Sequence, residues 1–340
     1  MPDFLQRLAR VLPIACLSAI VFAPVAADAQ VKMEKVTCTS LKLPNCYKLS
    51  NGTVEIVVTT DIGPRIARYG FVGGESILSD IAGSLDAKDR DTWQAWGGHR
   101  VWIAPEGQPK SYGPDNTPIK HAPIGAGAGA NGIRLEQPVE KGTGIQKVMT
   151  VTLDATGTGV SVKHELINRN QKPYELAVWA LTIMNPGGTA IVPQEPYKKH
   201  ADALLPARPL VLWHYTDLSD SRFAIGPKYI RLSTNAKMPE PQKFGVLNKV
   251  GWAAYAKNGL LFVKRMKFEE GAKYPDYEAN VQVFTEAGFI EVESLGPLRT
   301  LKPGETAEHV EQWSLHKDVQ VGKTEADVTA AIGKLTGTGK

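Results

Sequence analysis

The chain has 340 residues, of which 43% are hydrophobic and 22% are charged. This is an ordinary globular composition, which excludes a disordered or fibrous protein. The formal net charge of +4 comes from scattered basic residues, so nucleic acid is not an expected partner.

Residues 1–29 have the pattern of a secretory signal peptide. Arg7 and Arg10 precede an apolar run over residues 11–26, and Ala27-Asp28-Ala29 resembles a small-residue cleavage site. A membrane anchor is the alternative, but the run is short for a span of about 20 residues. We expect a periplasmic or secreted protein that has no membrane contact after cleavage.

Outside the leader the chain has only two cysteines, Cys38 and Cys46. In an oxidising compartment this pair predicts a disulfide, which would close a short loop and stabilise the fold by about 2–3 kcal/mol. Two buried free thiols are the alternative. No His or further Cys lies at ligand spacing nearby, so no zinc site is expected there.

Strand patterns dominate the rest of the chain. Asn-Gly pairs predict tight hairpin turns, because type I′ turns need positive φ at both central residues. The three pairs are Asn51-Gly52, Asn131-Gly132 and Asn258-Gly259. Residues 148–153 and 160–167 predict another hairpin. Further strands are predicted over residues 176–184, 229–233, 281–285, 289–295 and 309–315.

Helix signals are few. Thr324, with Asp327 three residues later, predicts a capped helix that continues through Leu335. Since strands do not alternate with helices, the predicted fold class is all-β, a large sandwich of mainly antiparallel strands. We expect one domain over residues 30–320, followed by a C-terminal helix and tail over residues 321–340.

Several segments, taken in chain order, resemble a known superfamily. They are Asp61-Ile62-Gly63-Pro64-Arg65, Trp96-Gly97-Gly98-His99-Arg100-Val101-Trp102, His164-Glu165, residues 174–182, and Ile290-Glu291-Val292-Glu293 followed by Leu301-Lys302-Pro303-Gly304-Glu305. Together they are similar to the galactose mutarotase-like superfamily, most closely to the family called domain of unknown function 4380. The resemblance implies a β-supersandwich whose concave face binds a sugar.

By this resemblance, Glu293 corresponds to the mutarotase general base. Alternation along residues 289–295 independently places Glu291 and Glu293 on one strand face, opposite Ile290 and Val292. A carboxylate on an open sheet face could take a proton from an anomeric hydroxyl. A merely solvated strand face is the alternative.

The resemblance departs from the family pattern at the catalytic acid. Mutarotases carry a His in the strand where this chain has Trp179, which counts against epimerase activity. Trp179 is either a platform for a sugar ring or a core residue. His164 and His99 are the candidate proton donors, although His164 lies on an apolar strand face that is also typical of a core histidine.

Candidate substrate-binding residues are the cations Arg65, Arg100 and Lys264 and the indole of Trp102. Two arginines near a cleft can bind a carboxylate or several hydroxyls, and ion pairs with Glu106 or Glu293 are the alternative. Lys264 alternates with apolar residues, so it needs an inward partner or ligand unless its amine extends to solvent.

Residues 127–132 fit G-x-G-x-x-G, but a short strand follows them instead of a helix, so no nucleotide is expected. The histidines are dispersed, so no preformed transition-metal site is expected, although carboxylates could still meet in space around a cation. No other cofactor is expected. The leading hypothesis is an exported carbohydrate-binding protein, with epimerase-type acid–base activity as its enzymatic form. The alternatives are a non-catalytic accessory domain with a filled concave face and a polysaccharide lyase acting on a uronate.

One geometric expectation joins these candidates. We expect most of the following side chains to converge on a single concave face: Arg65, His99, Arg100, His164, Trp179, Lys264 and Glu293.

Overall fold

A computed structural model of the protein describes residues 30–125 and 130–336. The predicted signal peptide, the first half of the G-x-G-x-x-G segment (residues 127–129) and residues 337–340 lie outside the described residues. In the described part, no helix is long and apolar enough to cross a membrane.

Two β-sheets form the fold, and their strands are numbered in chain order. The first sheet contains β1 (Lys32–Cys38), β2 (Leu43–Ser50), β3 (Val54–Thr59), β4 (Arg65–Phe71), β5 (His99–Ala104), β10 (Tyr174–Met184), β12 (Leu210–Leu212), β15 (Gln242–Val246), β18 (Val281–Glu286), β19 (Phe289–Leu295) and β20 (Arg299–Leu301). The second contains β6 (Lys120–Ile124), β7 (Gly132–Glu136), β8 (Ile145–Leu153), β9 (Val160–Asn168), β11 (Thr189–Pro193), β13 (Phe223–Ile225), β14 (Tyr229–Ser233), β16 (Trp252–Lys257), β17 (Leu260–Met266) and β21 (Thr306–His316).

The first sheet has the spatial order β1-β2-β3-β4-β5-β10-β19-β18-β15-β12, and β20 also pairs with β10. The second has the order β13-β14-β11-β16-β17-β21-β9-β8-β7-β6. The pairings of these named strands are antiparallel, as predicted, and residues from both sheets form one shared hydrophobic core. The fold class expected from the sequence is therefore confirmed.

Alternation along the central strands of the first sheet separates its two faces. In β10, Val178 and Met184 belong to the core between the sheets, whereas Trp179 and Leu181 belong to a cluster on the outer face. Successive strand residues point to opposite faces. The face on which a side chain lies therefore follows from whether its position along the strand is odd or even.

The tight hairpin turns predicted from Asn-Gly pairs are present at two of the three pairs. Asn258 and Gly259 form the tight turn between β16 and β17, with φ of 47° and 78°. Asn51 and Gly52 lie in the tight turn between the antiparallel strands β2 and β3, as predicted. Gly52 has a positive φ of 83° but Asn51 does not, so this turn is not type I′. Gly132 is not a turn residue, because it opens β7 and pairs with Thr152.

The other predicted strands are present in β8, β9, β10, β14, β18, β19 and β21. A disulfide joins Cys38 and Cys46, whose Cα atoms are 6.1 Å apart, as the sequence predicted.

The C-terminal helix spans Glu325–Thr336. Its start is the predicted capping box, in which the Asp327 N–H donates to Thr324 Oγ1 at 3.1 Å and the Thr324 N–H donates to Asp327 Oδ2 at 3.0 Å. Val328 and Ile332 of this helix share a hydrophobic cluster with outer-face residues of the second sheet. The helix therefore packs on the sandwich.

Candidate functional site

A groove of about 410 Å³ lies on the outer face of the first sheet, and we call it the first-sheet groove. Seven aromatic side chains line it, together with charged residues of both signs. The aromatic residues are Trp93, Trp102, Tyr112, Trp179, Tyr215, Phe284 and Phe289, and the charged residues are Arg100, Glu106, Lys243, Glu286 and Glu291.

The adjacent strands β5, β10 and β19 place the central residues of this groove. Trp179 of β10 pairs with Trp102 of β5, and Leu181 pairs with Arg100 on one side and Glu293 on the other. The Trp102 and Trp179 rings pack edge to face, with centroids 5.3 Å apart. Strand register therefore brings together three segments that are far apart in the sequence.

Arg100 is held among aromatic rings and one carboxylate. Its guanidinium lies 4.3 Å from the Trp102 ring centroid and 5.3 Å from that of Trp93. Its Nη1 donates to the Ala95 carbonyl at 2.9 Å, and its Nη2 lies 3.6 Å from Glu291 Oε1. Burial lowers the pKa of Arg100 to about 10, so it stays charged at neutral pH.

Glu293 lies beneath the groove and is fully buried. Its Oε2 accepts a hydrogen bond from Trp179 Nε1 at 2.7 Å and lies 3.3 Å from Lys243 Nζ. Its Oε1 has no hydrogen-bond partner among the described residues. Trp179 is thus neither simply a core residue nor a free platform, because its N–H orients a carboxylate.

Lys243 is a site residue that sequence reasoning missed. Its Nζ lies 4.9 Å from the Trp179 ring centroid and 4.7 Å from that of Trp213. No motif surrounds it, and β15 is buried at each of its positions. The only sequence signal is that Lys243 precedes the apolar Phe244 in the strand, which places the Lys243 side chain on the face opposite Phe244.

Glu291, which strand alternation had placed beside Glu293, lines the groove. Burial and the neighbouring Glu293 charge outweigh Arg100 and raise the pKa of Glu291 to about 7. Burial also raises the pKa of Glu293, against the opposing effect of Lys243. Glu291 can therefore both hold and release a proton near neutral pH.

Arg65 is on the same sheet face but does not line the groove. Its Nη2 lies 2.8 Å from Asp115 Oδ2, and its Nη1 donates to the carbonyls of Ala95 and Gly97 at 3.0 and 2.6 Å. Arg65 and Arg100 are both ion-paired, but their partners are Asp115 and Glu291. The alternative of ion-paired arginines is therefore right about the ion pairs and wrong about the partners, Glu106 and Glu293.

Three predicted site residues, His99, His164 and Lys264, lie between the sheets and are fully buried. The Nε2 atoms of His99 and His164 are 2.7 Å apart. His99 Nδ1 lies 2.8 Å from Thr182 Oγ1, and His164 Nδ1 lies 3.0 Å from the His309 carbonyl oxygen. Both imidazoles thus contact inward-facing groups and not the first-sheet groove.

Lys264 has the inward carboxylate partner that its position required. Its Nζ lies 2.8 Å from Glu311 Oε1 and donates to Thr182 Oγ1 at 2.6 Å and to the Val292 carbonyl at 2.9 Å. Glu311 also accepts from Ser294 Oγ at 2.5 Å and from Trp313 Nε1 at 2.8 Å. The carboxylate is therefore held by an ammonium and two neutral donors.

His99, His164 and Glu311 offer ligand atoms within 4.8 Å of one another, a donor set that can hold a divalent ion. The hydrogen-bond pattern fits a closed network better. One assignment runs from Lys264 to Thr182, from Thr182 to His99, from His99 to His164 and from His164 to the His309 carbonyl. Every ring nitrogen of the two imidazoles then has a partner, and the charged Lys264 occupies the neighbouring position.

Ionisation in this network follows from burial. Burial lowers the pKa of His99, His164 and His309, the last to about 3, so the imidazoles are neutral. Burial opposes the charge of Glu311, but the Lys264 ammonium outweighs it and holds the pKa of that carboxyl well below its usual range. The network is thus one ion pair surrounded by neutral donors and acceptors.

The predicted residues therefore form two groups. Arg65, Arg100, Trp102, Trp179 and Glu293 lie on the outer face of the first sheet, and His99, His164 and Lys264 lie between the sheets. The expectation of one shared face is wrong for the second group. His99 directly precedes Arg100 in β5, and adjacent strand residues cannot point to the same face.

The chain is similar in structure to mutarotase-like proteins. A galactose mutarotase-like protein from Clostridium acetobutylicum has a TM-score of 0.54 at 11% identity, over 85% of this chain and 99% of that one. One from Lactobacillus casei has a TM-score of 0.51 at 13% identity, over 80% and 100% of the two chains. A putative mutarotase from Salmonella typhimurium has a TM-score of 0.52 at 12% identity, over 80% and 90%.

No protein-family model and no curated protein sequence matches the chain. At these identities, the structural likeness shows a mutarotase-like β-sandwich and leaves the function to be argued from the site.

Proposed function

We propose that the chain is an exported carbohydrate-binding protein whose first-sheet groove holds a sugar. The observation that carries the proposal is the combination of aromatic walls with charged hydrogen-bonding groups, on a mutarotase-like sandwich. Aromatic rings pack against the C–H faces of a sugar, while Arg100 and Glu291 can bond its hydroxyls. A volume of about 410 Å³ suits a small ligand.

The charges of the groove favour a neutral sugar. Two cations line it against three carboxylates, and both cations already lie close to Glu291 or Glu293. A uronate would add another negative charge, so the groove gives no support to a polysaccharide lyase. An open groove also counts against an accessory domain whose concave face is filled.

Epimerase-type chemistry is the enzymatic extension of this proposal. A group takes the proton of the anomeric hydroxyl while another proton reaches the ring oxygen; the ring opens, and the reverse steps form the other anomer. Glu291 is the carboxyl that lines the groove and exchanges a proton near neutral pH. We therefore assign proton exchange to Glu291. Glu293, the base implied by the resemblance, would instead raise the pKa of Glu291 through its negative charge.

Export and family membership belong to the same proposal. We place signal-peptide cleavage before Gln30 and the mature β-sandwich domain over residues 30–320, and the Cys38–Cys46 disulfide supports a periplasmic or secreted location. The segments around Arg65, His99-Arg100 and Glu291-Val292-Glu293 support membership of the family called domain of unknown function 4380.

The test is a binding screen of the mature protein against neutral mono- and disaccharides, with glucuronate and galacturonate as acidic counterparts. Isothermal titration should detect at least one neutral sugar that binds more tightly than its uronate. Polarimetry with that sugar should show accelerated mutarotation, which Glu291→Gln abolishes while binding persists. Failure of every neutral saccharide to bind would contradict the proposal, and binding without faster mutarotation would remove its enzymatic part.

A further inference from the structure

A second groove, of about 800 Å³, lies on the outer face of the second sheet and shares no residue with the first-sheet groove. We call it the second-sheet groove. In β14, Ile230 and Leu232 belong to the core between the sheets, so Arg231 and Ser233 point outward into this groove. Residues 319–323, which lead to the C-terminal helix, form another part of its lining.

The lining of this groove has charges of only one sign. Its charged residues are Arg222, Arg231, Lys257 and Lys323, and no Asp or Glu is among its described lining residues. The first-sheet groove, in contrast, is lined by three carboxylates. A concave surface with cations alone attracts anions and raises their local concentration.

Two of the four cations are already neutralised by carboxylates outside the lining. Arg222 Nη2 lies 2.8 Å from Asp220 Oδ2 and also donates to the Glu240 carbonyl at 2.7 Å. Lys257 is paired with Glu75. These two residues therefore shape the groove more than they attract a ligand.

Arg231 differs from them. Its side chain makes no hydrogen bond or ion pair with the described residues, and its Nε is buried without a partner. A guanidinium that is partly withdrawn from water without a partner loses hydration that nothing replaces. Its planar fork of donors matches an oxyanion in bidentate geometry. The unpaired donors of the Arg231 side chain therefore favour binding of an anion in this groove.

We propose that the second-sheet groove binds a small organic oxyanion, a sugar that carries a carboxylate or phosphate group, with Arg231 as its bidentate partner. Lys323 supplies the second uncommitted cation, and Asn258 offers a neutral polar group for a hydroxyl. The volume leaves room for a sugar ring beside the anionic group. This site lies on the other sheet, so it does not depend on the function proposed for the first-sheet groove.

The test compares glucose 6-phosphate, glucuronate, inorganic phosphate and glucose as titrants of the mature protein, at low and at 0.5 M salt. At least one of the two sugar anions should bind more tightly than glucose, and salt should weaken that binding. Arg231→Gln should reduce the affinity for that sugar anion about tenfold or more, because a charge-assisted hydrogen bond is lost. Lys323→Gln, on an exposed loop, should reduce it less, and Lys141→Gln, an exposed lysine outside the groove, should not change it.

The two sugar anions distinguish a phosphate from a carboxylate ligand. Binding of inorganic phosphate as tight as that of both sugar anions would overturn the organic part of the proposal, because the sugar would then contribute nothing. Equally tight binding of glucose by Trp102→Ala, in which the first-sheet groove has lost an aromatic wall, would overturn the whole proposal. So would binding of no anion, or unchanged anion affinity in Arg231→Gln. Trp102→Ala should leave anion binding intact, which separates this site from the first-sheet groove.

Discussion

Replacing Lys264 with Met should destabilise the fold by about 3–5 kcal/mol, because it leaves a buried carboxylate without its cation. The Lys264 ammonium lies 2.8 Å from Glu311, and both side chains are fully buried. Met is similar in length and unbranched, so the substitution creates little cavity. The main cost is the uncompensated charge of Glu311, together with the lost donor to the Val292 carbonyl.

Urea unfolding at pH 7, followed by tryptophan fluorescence, measures this free energy. Lys163→Met is the matched control, because Lys163 lies 2.6 Å from Glu308 but the two side chains are 37% and 51% exposed. The control should lose less than about 1 kcal/mol. The double variant Lys264→Met/Glu311→Gln should recover part of the loss, since a neutral amide has a smaller desolvation penalty than a carboxylate. A Lys264→Met loss no larger than that of Lys163→Met would refute the reasoning.

Three further predictions concern stability. The buried imidazoles have lowered pKa values, that of His309 about 3, so their contribution to stability should be complete above about pH 6.5 and be lost as the pH drops below it. The raised pKa values of Glu291 and Glu293 act in the opposite direction, so the comparison is with His309→Gln: between pH 7 and 4.5 the melting temperature of the parent protein should fall more steeply than that of the variant. Reduction of the Cys38–Cys46 disulfide should cost about 2–3 kcal/mol in urea unfolding with and without reductant, and an unchanged midpoint would contradict this. Thr324→Ala should cost about 1 kcal/mol through loss of the capping bond to Asp327, whereas Thr324→Ser should cost little.

The fold was predictable because its signals are local. Alternation in residues 289–295, the Asn258-Gly259 turn and the Thr324–Asp327 capping box each depend on neighbours within a few positions, and the structure contains all three. The resemblance supplied the overall arrangement of strands, which local patterns cannot provide. Asn131-Gly132 was mispredicted because strand pairing overrode the turn preference of the dipeptide.

The site was predictable only in part, because its contacts join distant segments. Arg100, Trp179 and Glu293 were identified from motifs and the resemblance, but Lys243 has no local signal and reaches Glu293 only through sheet pairing. The opposite faces of His99 and Arg100 could have been inferred from the sequence, because neighbouring residues of one strand point to opposite sides of the sheet. The partner of Lys264 could not, because Glu311 lies 47 positions later in the chain.

The most direct test of the central claim is sugar binding by variants of the first-sheet groove. With the tightest neutral sugar from the screen, Trp102→Ala should weaken binding about tenfold or more in isothermal titration, because it removes an aromatic wall and the ring that supports Arg100. Tyr197→Ala, an exposed aromatic residue outside this groove, should leave the affinity unchanged. Sugar affinity that is the same in both variants and the parent protein would contradict a carbohydrate site in the first-sheet groove.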